Sequence, residues 1–90
     1  MKILVAEYAS ALGLGGTVEL EGRAMLAALV NSFARSGHDV VYPTGGPRLD
    51  EGQGVLIRTE EDFEFLLEGD ADAGLLIAPD GMQPRLLQIL

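Results

Sequence analysis

The sequence predicts an α/β domain with a mainly parallel four-stranded sheet between helical layers, and three observations predict it. Two short apolar runs, Lys2–Ala6 and Gly74–Ala78, have the composition of strands buried on both faces of a parallel sheet. A long segment between them carries apolar residues at helical spacing. Strand and helix candidates then follow one another along the chain, the pattern that crossover connections turn into a parallel sheet.

Lys2–Ala6 is the first strand, and Glu7–Val18, rich in glycine and without helical or alternating period, reads as a long loop. From Glu19 to Ser36 one helical face collects Gly22, Leu26, Leu29, Val30 and Phe33. Gly22 on that face lets the helix approach the sheet closely. Glu19 and Glu21 in the first turn and Arg35 in the last suit the helix dipole, and Gly37 supplies a left-handed cap. Asp39–Tyr42 is the second strand, ended by Pro43, with Thr44-Gly45-Gly46-Pro47 as a loop. Gly54–Arg58 is a third strand. Thr59-Glu60-Glu61-Asp62 has the form of a capping box that opens a helix through Phe63, Leu66 and Leu67 to Gly69. Gly74–Ala78 is the fourth strand, broken by Pro79-Asp80-Gly81, and Pro84–Leu90 begins a last helix with Leu86, Leu87 and Leu90 on one side. The sum is a Rossmann-like three-layer domain over residues 1–90 with strand order 3-2-1-4. An apolar last residue in an unfinished helix implies a chain cut short at its C-terminal end.

Composition limits the chemistry. A chain of 90 residues builds one domain and buries only about 60–65% of its unfolded surface. Its longest apolar runs fall far short of the ~20 residues a bilayer requires, and the first is too short for a signal peptide, so a cytoplasmic location is the expectation. The absence of cysteine removes disulfides, thiolate metal sites and cysteine nucleophiles together. Fourteen acidic against six basic residues give a net charge of −8, which argues against nucleic acid as a partner.

Gly13-Leu14-Gly15-Gly16-Thr17-Val18 approaches the dinucleotide fingerprint but departs from it twice. Val18 stands at the third glycine position, and the loop starts well after the first strand instead of directly behind it. No acid ends the second strand to hold a ribose, because Tyr42-Pro43 is there. The single histidine, His38, reads as a solvent-facing turn residue, and the scattered acids assemble no metal site. Glu7-Tyr8 and Asp80 differ, because they stand at the carboxyl ends of strands one and four, where open parallel sheets bind ligands. Neighbouring strands would bring Glu7 and Asp80 about 5 Å apart. Carboxylates and a phenol there suit an amine, although acids that end strands also serve as helix caps.

The opening Met1–Ser10, the segment Glu21-Gly22-Arg23-Ala24-Met25-Leu26, the turn Gly37-His38-Asp39-Val40 and Leu76-Ile77-Ala78-Pro79-Asp80 resemble, in order and over nearly the whole chain, the N-terminal domain of archaeal ATP-grasp ligases. The tyramine–L-glutamate ligases of methanofuran biosynthesis and their relatives are the most similar group. The resemblance implies an enzyme that uses ATP and magnesium to convert a carboxylate into an acylphosphate, which an amine attacks to give an amide. It places the nucleotide lysines and metal-binding acids in later domains, so this chain carries no cofactor of its own and is inactive alone. Its partners would be those remaining ATP-grasp domains and a small amine or amino-acid substrate. Glu7, Tyr8, Glu21 and Asp80 fall on the matching segments of the substrate side, with Asp80 standing where glutamate is more usual. The alternative is a standalone flavodoxin-like or receiver-like module that binds a small ligand or a protein. A receiver domain needs a late lysine, and this chain has none beyond Lys2.

Overall fold

The computed structural model describes residues 1–77. Four parallel strands, β1 (Lys2–Glu7), β2 (Asp39–Thr44), β3 (Gln53–Leu56) and β4 (Ala73–Ile77), form one sheet in the order β3-β2-β1-β4. Three helices accompany them: α1 (Tyr8–Leu12), α2 (Gly16–Arg35) and α3 (Glu60–Leu67). The α/β class and the strand order match the sequence expectation. Pro84–Leu90, the expected last helix, lies outside the described residues.

Period-two alternation along β1 explains the layering. Ile3 and Val5 point to one face, where they pack with Leu26 and Val30 of α2 and Val40 and Tyr42 of β2. Leu4 and Ala6 point to the other, against Tyr8 and Ala11 of α1 and Phe63 and Leu67 of α3. The chain crosses from β1 to β2 in one direction and from β3 to β4 in the other, and crossovers of one hand then lie on opposite faces.

Residues 7–18, expected as loop, instead contain α1 and the first turn of α2. Glu7 caps α1 by accepting the N–H groups of Ser10 (2.7 Å) and Ala9 (3.2 Å), and Gly13, left-handed at φ 63°, ends it. Five residues are too few to display a 3.6-residue period, so no pattern announced the helix. Strand β2 also runs two residues past its expected end, through Pro43 to Thr44. Its pairing with β1 stops at Leu4 and Val41. The Thr44 carbonyl accepts from Ile57 on the β3 side (3.0 Å), so Pro43, one residue earlier, faces the β1 side beyond the last rung, where its missing N–H costs nothing. There α1 takes over, with Gly45 N–H donating to the Ser10 carbonyl (3.2 Å).

Residues 45–52 join the parallel strands β2 and β3 without a helix, in fewer than the roughly dozen residues usual for such a crossover. Leu49 packs into the α2-side core and its N–H donates to the Tyr42 hydroxyl, while Glu51 pairs with Arg35 of α2 at 3.1 Å. The strap thus covers part of the sheet face that a crossover helix would occupy. On the opposite face, the expected capping box is present: Thr59 Oγ1 accepts from Asp62 N–H (3.1 Å) and the Asp62 carboxylate accepts from Thr59 N–H (3.3 Å).

α3 tests the packing assignment within one turn. Phe63 is fully buried, whereas Phe65, two residues on, is 79% exposed. Phe63→Ala is expected to cost about 3–5 kcal/mol, and Phe65→Ala to stay within about 0.5 kcal/mol. Urea denaturation of the two variants checks this, and comparable losses would mean that α3 is rotated.

Candidate functional site

The carboxyl edge of the sheet beside β1 and β4 carries an open cleft of about 260 Å³, lined by Glu7, Val18, Glu21, Gly22, Met25 and Ile77. Its geometry begins with strand alternation. Glu7 continues the Ile3–Val5 series, so its side chain lies on the α2 face. Tyr8 follows the Leu4–Ala6 series and packs on the other face, with its ring edge-on to Phe63 at 5.4 Å.

Of the four residues expected to form the site, two therefore meet. Glu7 and Glu21 line the cleft, one at its base and one exposed on α2. Tyr8, the first residue of α1, packs instead in the core on the opposite face of the sheet. Asp80 lies outside the described residues, and with it the expected spacing from Glu7.

Glu7 is buried, and both of its carboxylate oxygens accept α1 amides. Gly22 lies directly above it. A Cβ built on Gly22 would fall 2.1 Å from Glu7 Oε1 and 2.7 Å from Oε2. The expected close approach of α2 at Gly22 is real, but the partner is this carboxylate. Gly22 is the residue that inspection of strand ends alone did not assign to the site. Its helical position one residue after Glu21 was the available signal.

The glycine-rich loop is closed from within. Glu19 accepts the Gly15 N–H (3.1 Å) through Oε1 and the Arg23 Nε–H (3.1 Å) through Oε2. Arg23 in turn rests against Gly46, where a Cβ would come 2.4 Å from Nη2. A carboxylate of the chain itself thus holds one of the loop amides. The Arg23 hydrogen bond, followed by that from Gly15, holds the Glu19 carboxyl below the usual glutamate range. Among the described residues no three histidine, aspartate or glutamate side chains group to hold a metal ion such as magnesium. No described helix is long and apolar enough to cross a membrane.

A larger open cavity of about 440 Å³ lies at the amino edge of the sheet beside Lys2, His38, Asp39 and Gln53. It is at the opposite edge of the sheet from Glu7 and Glu21, and its lysine is engaged by Asp70 at 2.9 Å. His38, expected to face solvent, is partly buried with its ring inclined to Phe33 at 6.4 Å. The carboxyl-edge cleft is the better candidate because it gathers two of the expected site residues, Glu7 and Glu21. Comparisons with family models, characterised proteins and solved structures find no match for the chain.

Two predictions follow from these contacts. Gly22→Ala should displace the Glu7 carboxylate from its amides and destabilise the fold by about 1–3 kcal/mol. In a Glu7→Ala background the same change should be neutral or stabilising by up to about 1 kcal/mol, because alanine is the better helix former. A double-mutant cycle by urea denaturation checks the coupling, and additive effects would contradict it. Glu19, with its folded pKa lowered, stabilises the protein above the unfolded value of about 4.3. That contribution is lost as pH falls through the lower folded value. The gap in melting temperature between the wild type and Glu19→Gln should therefore be largest near neutrality and close below pH ~4, as followed by thermal melts across pH.

Proposed function

We propose that the chain is the substrate-side, N-terminal lobe of an ATP-dependent carboxylate–amine ligase, and that its cleft receives the amine. The observation that carries this reading is the meeting of Glu7 and Glu21 in one cleft with apolar walls from Val18, Met25 and Ile77 and, among the described residues, no basic lining residue. An ammonium group would be drawn to the carboxylates while its apolar body lay along the walls. The segments that resemble the ligase family supply both acids, which adds support from the sequence.

In this reading the lobe's contribution is proximity. Glu7 is already held in one orientation by the α1 amides, so little side-chain freedom remains to be lost when a cation approaches. ATP and magnesium would be held by other domains of the parent enzyme and would supply the activation of the carboxylate. The self-closed glycine loop agrees with such a division of labour. A protein-binding module is the second reading. It is favoured by one observation, the exposed apolar side chains Val18, Met25 and Leu75 on the flank of the sheet.

Titration with tyramine, followed by backbone amide shifts, tests the amine reading on this chain. Shifts are expected at Glu7, Glu21 and Gly22, with affinity about two- to fivefold weaker in Glu21→Gln and no response at Gly13–Gly16 to Mg-ATP. In the intact enzyme, Glu7→Gln should raise KM for the amine with nucleotide affinity unchanged. A cleft indifferent to the amine would overturn the reading.

A further inference from the structure

We draw no further inference here: the strongest candidate, the apolar flank that Leu75 and Ile77 of β4 form beside Val18 and Met25 of α2, carries none because nothing in the structure shows what covers it.

Discussion

One buried carboxylate organises the carboxyl edge of this domain. Glu7 ends β1, caps α1 through the Ser10 and Ala9 amides, and fits beneath α2 only because residue 22 has no side chain. A buried carboxylate without hydrogen-bond donors would cost several kcal/mol, roughly, in desolvation, so the two amides are a condition of its position. The consequences spread outward. With α1 fixed, the Ser10 carbonyl can receive Gly45 N–H, and the loop after β2 closes the gap where the β1–β2 ladder has ended.

The same contact gives Glu7 two physical roles. As a helix cap it contributes to stability, and it also lines the cleft at the sheet edge where parallel α/β domains place ligands, the place the proposed reading gives the amine. The roles are compatible because each carboxylate oxygen has lone pairs beyond the one its amide uses. Glu19 makes a useful contrast. Its carboxylate is satisfied by a loop amide and a guanidinium, which ties the glycine-rich turn to the first turns of α2.

The strand order was legible because β1, buried on both faces, leaves a dense apolar run, because the edge strand β4 keeps an apolar composition although it is largely exposed, and because the helix between the first two strands keeps a clear apolar face. The capping box at Thr59 was legible for the same reason that it is stable, since its two partners lie three residues apart. α1 was hidden by its brevity and by a glutamate in the cap position, where serine, threonine, aspartate or asparagine are the usual signals. Pro43 misled because its place in a central strand depends on β1 having already left the ladder, a tertiary fact. In the candidate site, Glu7 was singled out by its place at a strand end and Glu21 by the segment that resembles the ligase family, and the fold brings these two to one cleft. Tyr8 was grouped with Glu7 by adjacency, although it opens α1 and its ring packs in the core on the other face of the sheet.

Amide hydrogen exchange tests the role of Glu7 most directly. The account predicts that the Ala9, Ser10 and Gly45 amides are protected in the wild type and lose protection together in Glu7→Ala, while the β1–β2 ladder amides of Ile3–Leu4 and Val40–Val41 keep theirs. Wild-type Ala9 and Ser10 amides that exchange at the rate of an unstructured chain would contradict it.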